Sequence, residues 1–297
     1  MKEIAIKDDV MSSGGTCPLF NSFTFIKGIG AKTEITLREL GIHCWNDVIK
    51  KQCPELFPKQ KWYALWDGVN SAIEALKILD ISQLTRLIPK IQHWKMIPNF
   101  IDRIAYLDIE TTGLSPHYSH ITTIAVYDGT KVHDFVRGDN LHEFPTFISK
   151  FSAITTFYGK AFDIPFIRQE MGIDFTQIHF DVCFLLRRLK IKGGLKKIEK
   201  KFGISRGALE DLDGYSAVLL WKKFKQTNKK EYLETLLAYN NEDVINLEFL
   251  LYQAYNLLIE KEQVFTAPLE FPKKETKNPF IANKRVVREI LGRRTSF

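Results

Sequence analysis

The sequence predicts an α/β fold, a mixed sheet flanked by helices, with a smaller all-α domain before it. Residues 23–76 repeat apolar side chains at helical steps, residues 103–159 read as short strands, and helical patterns then interleave with strands. Strands first, followed by strand and helix in alternation, is the order expected of a mixed sheet covered by helices. With 297 residues, 45% hydrophobic and 26% charged, the chain exceeds a small module and carries core material in globular proportion.

Taken in order, residues 1–20 lack periodicity and contain SSGGTCP, a turn-rich stretch expected to precede the first ordered element. FTFIKGIGAKTEITLRELGIHCWNDVI, from Phe23 to Ile49, reads as helix, tight turn, helix around a Gly-Ile-Gly turn, with a second turn at Gly41-Ile42. Trp62, Leu65, Trp66, Val69, Ile73 and Leu76 then recur at three- and four-residue steps and predict one buried helix face. Around Pro98 the pattern changes: RIAYLDIETTGL alternates, ITTIAVYDGTKVHDFV reads as a hairpin turning at Asp128-Gly129, and SAITTFYG is a further strand. FDIPFIRQEMG, LKKIEKKFG and an amphipathic stretch from about Lys230 to Glu262 read as helices. The expected division is a helical domain over 1–98, an α/β domain over 99–262 and a basic C-terminal tail over 263–297, with at most a short helix near Asn283 to Leu291.

Composition removes several function classes. The four cysteines show no C-x-x-C spacing, so buried free thiols are expected and neither a zinc knuckle nor a disulfide framework is. No apolar run approaches the roughly 18 residues of a membrane span, and the charged start MKEIAIKDDV lacks a secretory core. A cytoplasmic protein without membrane contact is expected; no signal bears on oligomeric state. The net charge of +7 is unevenly placed. Between Arg187 and Arg206 nine basic residues face Glu199 alone, and eight follow Pro272 against Glu275 and Glu289. Such clusters suit a polyanion, although charge alone is equally consistent with a solvated helix and a loose tail.

Four acids could carry chemistry. Asp108 and Glu110 lie two apart in a predicted strand, and the period of two puts both carboxylates on one face with Leu107 and Ile109 on the other. Thr111-Thr112-Gly113 follows at once, a small-residue turn that leaves room for a ligand backbone. Asp163 sits in FYGKAFDIPFI within an apolar frame, either as the N-cap of a Pro-containing first helical turn or as a metal contact, which are compatible roles. Asp243 follows Tyr239 by four residues, so on a helix the phenol and the carboxylate share a face. Four such carboxylates could hold two Mg²⁺ or Mn²⁺ ions, the hard cations that oxygen ligands select.

DIETTGL, the later F-D and the final Y-x-x-x-D resemble the three motifs of the DEDD superfamily of 3′–5′ exonucleases, in the subgroup with tyrosine in the third motif, on a ribonuclease H-like fold. Within it the chain is most similar to the YprB-type ribonuclease H-like domain, whose G-G-L-K-x-I-E-x-x-x-G-I segment reads GGLKKIEKKFGI here. The resemblance spans roughly Arg103 to Leu251. It implies Asp108, Glu110, Asp163 and Asp243 as metal-binding acids and Tyr239 as the residue that orients water; Asp181, in HFDVCFLL, also falls where the family often has an aspartate and is expected to be structural. It also departs at one place: Tyr158 stands before Gly159 where the family has Asn, so an acid- or substrate-orienting hydrogen bond is expected to be missing. FIKGIGAKTEITLRELGI in turn looks like a helix-hairpin-helix, in which the backbone at Gly28 and Gly30, with Lys32 beside it, would meet a phosphate.

The reading that results is a two-metal 3′–5′ exonuclease acting on nucleic acid, DNA favoured over RNA. Gly28, Gly30, Lys32, Thr111, Thr112, Lys196 and Lys197 are the expected nucleic-acid contacts. The alternative is a non-catalytic nucleic-acid-binding or scaffolding protein that keeps the nuclease fold.

Overall fold

The computed structural model describes residues 17–264, 266–273 and 276–294. Ser12 to Thr16, most of the turn-rich SSGGTCP stretch, lie outside the described residues. The chain divides into two compact units. One holds the described residues up to Ile101 together with Tyr255–Leu269, and the other holds Asp102–Ala254 and those from Glu270 onward.

The first unit is helical: α1 (Ala31–Glu39), α2 (Trp45–Lys50), α3 (Lys59–Lys77), α4 (Ile81–Leu87) and α5 (Ile97–Phe100), with a 3-10 segment at Lys90–Met96. Helix α3 buries Trp62, Leu65, Val69, Ile73 and Leu76 as the spacing predicts. Trp66, counted with them, instead remains 47% exposed; it lies one residue after Leu65, at the edge of the stripe. The expected helix before the Gly-Ile-Gly turn does not form. Residues 23–30 are turns, and Phe23 and Thr24 donate their backbone N–H groups to the Glu34 carboxylate of α1 at 2.8 and 3.1 Å. The Glu34 side chain thus satisfies two backbone donors that have no partner in a helix or strand. Gly28 has φ +86°, a left-handed position that favours glycine.

The second unit is built on a five-stranded sheet of order β3-β2-β1-β4-β5. The strands are β1 (Ile104–Thr111), β2 (Ile121–Tyr127), β3 (Val132–Val136), β4 (Ala153–Thr156) and β5 (Ile178–Asp181). β1 pairs antiparallel with β2 and parallel with β4; β2–β3 is antiparallel and β4–β5 parallel. The β2–β3 hairpin turns where expected: Asp128 accepts from the Thr130 hydroxyl, from the backbone of Lys131 and Thr130 and from the His133 ring, and these bonds hold its carboxyl down at about 2 against the effect of burial. Between and after the strands come α6 (Phe144–Ile148), α7 (Asp163–Met171), α8 (Val182–Arg188), α9 (Leu195–Lys201), α10 (Gly214–Thr227), α11 (Lys230–Lys261) and α12 (Lys284–Arg294).

One sheet face packs Leu107, Ile109, Ile124 and Val126 with Phe144 of α6 and Phe166 of α7. Of the stretch expected as a basic tail, the described residues from Glu270 onward belong to this unit, and α12 forms where a short helix was expected. Asn283 Oδ1 accepts from the backbone of Arg285 and Val286, starting α12, and Val286, Val287 and Ile290 pack with Trp221 of α10 and Leu236 of α11. An apolar stripe at i, i+1 and i+4 between the cations is enough to dock it. All four cysteines are free, three of them buried, and Cys53 is partly exposed. No helix of the described residues is long and apolar enough to cross a membrane.

Asp134 on β3 pairs with Ala125, which on its other side pairs with Asp108. Its Oδ1 has no hydrogen-bond partner among the described residues, and burial raises its carboxyl to about 6 despite a 3.5 Å contact from Asn241. A folded-state value above the unfolded one means that this aspartate adds stability below about pH 4 and loses it as pH rises through 6. Asp134→Asn is therefore expected to leave the melting temperature unchanged near pH 4 and to raise it by a few degrees at pH 8, about 1 kcal/mol after discounting for partial exposure. Thermal melts across that pH range check this.

Candidate active site

The central strand presents its alternate residues as the pattern predicts. Leu107 and Ile109 enter the core on one face, while Asp108 and Glu110 occupy the other. The β1–β2 register shifts between Glu110 and Thr111, so the strand breaks stride directly after the two acids. Thr111 Oγ1 donates to the Gly113 carbonyl at 2.6 Å, and the Thr112 hydroxyl accepts from the His120 N–H at 2.9 Å. These hydrogen bonds close the turn that forms one lip of a pocket of about 770 Å3.

Helix α11 crosses this pocket with Tyr239 and Asp243, four residues apart and both lining it. One carboxylate oxygen each from Asp108, Glu110 and Asp243 lies within 4.8 Å of the other two. Asn240, next on the helix, donates to Asp108 Oδ2 at 2.7 Å and accepts from the Thr123 hydroxyl of β2 at 3.0 Å. Its amide therefore fixes one acid of the cluster to the neighbouring strand.

Asp163 lines the same pocket but stands outside that triad. It is the first residue of α7, whose N-cap is Phe162 without a side-chain bond, so the predicted capping role fails by one residue. Its Oδ1 instead accepts from the Ile109 N–H at 3.2 Å, tying α7 to the strand that carries the acids. Asp181 does cap: it starts α8 and accepts from Phe184, and it also accepts from the backbone of Tyr158 and Lys160 at 3.0 Å each.

Burial followed by repulsion from Asp243, Asp163 and Glu110 pushes the Asp108 carboxyl well above the usual carboxylate range. Glu110 is raised in the same way, by burial and then by Asp243 and Asp163. Asp163 is pushed up to about 7, again chiefly by burial. Asp243 is raised by burial against the pull of Arg206. Buried carboxylates this close call for positive charge, and an all-oxygen donor set suits a hard divalent cation. Asp108, Glu110 and Asp243 fit such an ion.

One positive charge is internal. The Arg206 side chain is 1% exposed, grips Glu199 with Nε and Nη2 at 2.6 Å each, and also donates to Asp243. Asn246 donates to Glu199 Oε1 at 2.9 Å, while Arg206 Nη1 has no partner among the described residues. Arg206, one of the nine basic residues between 187 and 206, is therefore not available to meet a polyanion at the surface. Lys196 is partly buried: its ammonium donates to the Leu209 and Glu210 carbonyls at 3.2 Å each and lies 5.0 Å from the Tyr239 ring centre. Lys197 is exposed at the pocket. Gly28, Gly30 and Lys32 lie in the first unit at the start of α1, all exposed.

Asn240, Arg206 and Glu199 escaped the sequence reading. Asn240 adjoins Tyr239 in the third motif, and Glu199 with Arg206 lies in and beside the GGLKKIEKKFGI segment, so proximity to a motif was the available signal. Nothing local separates Arg206 from its eight basic neighbours.

The sheet order and the acid cluster Asp108/Glu110/Asp243 define an RNase H-like nuclease fold. The family model of the RNase H superfamily matches residues 105–255, and the chain belongs to that family. No curated protein matches it. Among solved structures the chain is similar to Brucella melitensis NrnC with bound Mg2+, at 19% identity and a TM-score of 0.39 over 56% of this chain and 78% of that one. The same protein bound to pGG gives 19% and 0.39, over 57% and 79%. The family B DNA polymerase of the hyperthermophilic archaeon Pyrobaculum calidifontis gives 16% and 0.41, over 55% of this chain and 27% of that one.

Proposed function

We propose that this protein is a metal-dependent nuclease that removes nucleotides from the 3′ end of nucleic acid, DNA favoured over RNA. The observation that carries the reading is the triad of Asp108, partly buried, with the buried Glu110 and Asp243, opening with Tyr239 into one pocket of an RNase H superfamily sheet. The motif order DIETTGL, F-D, Y-x-x-x-D supports the DEDD assignment in its tyrosine subgroup, YprB-type.

In this reading Asp108, Glu110, Asp163 and Asp243 hold two Mg²⁺ or Mn²⁺ ions, which when bound stabilise the charge of the attacking and leaving oxygens of a phosphodiester. The chain's own groups do the remaining work. Asn240 keeps the Asp108 carboxylate turned by its 2.7 Å hydrogen bond. Burial and the nearby charge of Asp243 raise Tyr239, so its phenol keeps its proton and can orient a water beside the acids. Lys197, Thr111, Thr112 and Gly113 line the pocket and would meet the strand in this reading. Gly28, Gly30 and Lys32 would hold backbone phosphate from the helical unit.

A second reading, a non-catalytic binding protein, is favoured by the Arg206–Asp243 ion pair, which already places a cation on one acid. Degradation of 5′-labelled single- and double-stranded DNA and RNA, with Mg²⁺, Mn²⁺ or chelator, decides between them. A metal-dependent ladder shortening from the 3′ end is the expected outcome. Retained binding without cleavage would sink the enzyme reading, and cutting of a circular substrate would replace exonuclease by endonuclease.

A further inference from the structure

Next to the acid pocket lies a second one, also of about 770 Å3, lined among others by Tyr158, Arg187 and Lys192. The two share Phe157, Tyr158, Gly194 and Leu195, so they adjoin. Here Tyr158 and Phe184 stack, with ring centres 6.0 Å apart and planes 23° from parallel. Both rings remain at the surface, 42% and 39% exposed. The Arg187 guanidinium lies 5.1 Å from the Tyr158 ring centre and 5.4 Å from that of Phe184, and the Lys160 ammonium is 5.9 Å from the latter.

The backbone beneath Tyr158 is unusual. Its φ is +66°, in the left-handed region where Gly, Asn and Asp are at ease and bulky residues are not. The loop is held there: Asp181 accepts the N–H groups of Tyr158 and Lys160, and a Cβ on Gly159 would collide with Thr156. An aromatic residue in a costly conformation whose ring pair stays partly open to solvent points to a contact made outside the chain.

We propose that Tyr158 and Phe184 form a stacking platform for an unpaired nucleobase of the strand whose phosphodiester lies at the acids, with Arg187 and Lys192 meeting that strand's phosphates. Every base has a π-face, whereas a base in a duplex is already stacked, so the platform selects a single strand and tolerates any sequence. The surrounding cations match a polyanion. This inference rests on the nuclease reading of the adjoining pocket and names its substrate as a single strand, DNA or RNA.

The test is fluorescence anisotropy of a 5′-labelled single-stranded oligonucleotide in Ca²⁺, compared with the same strand carrying abasic sugars at its three 3′-terminal positions. Wild type is expected to bind the complete strand about 10-fold more tightly, within the range measured for base–aromatic stacking. Tyr158→Asn, which suits the left-handed backbone and should melt no lower than wild type, is expected to abolish that ratio, as is Phe184→Ala. Tyr158→Phe should keep it. Equal affinity of wild type for both strands, or an undiminished ratio in Tyr158→Asn and Phe184→Ala, overturns the platform. Loss of the ratio in a protein that hydrolyses nothing in Mg²⁺ or Mn²⁺ upholds the platform and overturns the nuclease reading alone.

Discussion

Asp108→Asn is expected to lower metal-dependent nuclease activity by at least about 1,000-fold, on the scale seen when one member of a catalytic set is removed. The same substitution should make the protein more stable in chelator. Asp108, Glu110 and Asp243 crowd within 4.8 Å, and burial together with their mutual repulsion raises Asp108 well above its ordinary range. A raised folded-state value means that stability present below about pH 4 is lost as pH rises, so the gain from Asn belongs at pH 7–8 and vanishes in acid. Relief of about 1–2 kcal/mol would raise the melting temperature by several degrees in a chain of this size. Wild type should melt higher in excess Mg²⁺ or Mn²⁺, because an ion that binds only the folded state stabilises it, and the variant should not. Melts in chelator and in metal at pH 4 and pH 8, beside an activity assay, check both halves. If wild type and variant melt identically in all four conditions, the charge-crowded view of the cluster is wrong.

Arg206→Met is expected to destabilise the second unit by about 3–5 kcal/mol, because removing one partner of a buried ion pair leaves the other uncompensated. The stranded group is Glu199, whose side chain is 2% exposed and whose remaining donor is Asn246. The double variant Arg206→Met with Glu199→Gln should recover much of that loss, since it leaves no unpaired charge at position 199. It should not restore the local field at Asp243, which loses the cation that pulls its carboxyl down. Chemical denaturation of the two single variants and the double variant measures the coupling, and additive losses would show that Arg206 and Glu199 do not act as one unit.

Much of the candidate site was legible because its signals are local. Asp108 and Glu110 share a face through the two-residue period of a strand, and Tyr239 and Asp243 through the four-residue step of a helix. The helical N-terminal region and the mixed sheet follow from the change of period near Pro98. Where reading failed, a distant group competed with the local pattern. Residues 23–30 stay non-helical, with the backbone N–H groups of Phe23 and Thr24 held by Glu34 of α1. Asp163 turned to the Ile109 N–H, 54 residues away, and left the N-cap to Phe162.

The basic run from Arg187 to Arg206 draws the line between the two kinds of information. The amino acids alone determined that this run would be cationic, with a helix in its LKKIEKKFG stretch, and that Asp108 and Glu110 would face one way from their strand. Which of its cations meet solvent was decided by tertiary structure. Lys197 stays exposed, Arg187 lies over a surface aromatic pair, and Arg206 is buried against an acid 37 residues further along the chain. Periodicity is a property of neighbouring residues and survives in the sequence. Burial depends on what packs against a residue from elsewhere, and it sets whether a charge is a surface contact or part of the site's own electrostatics.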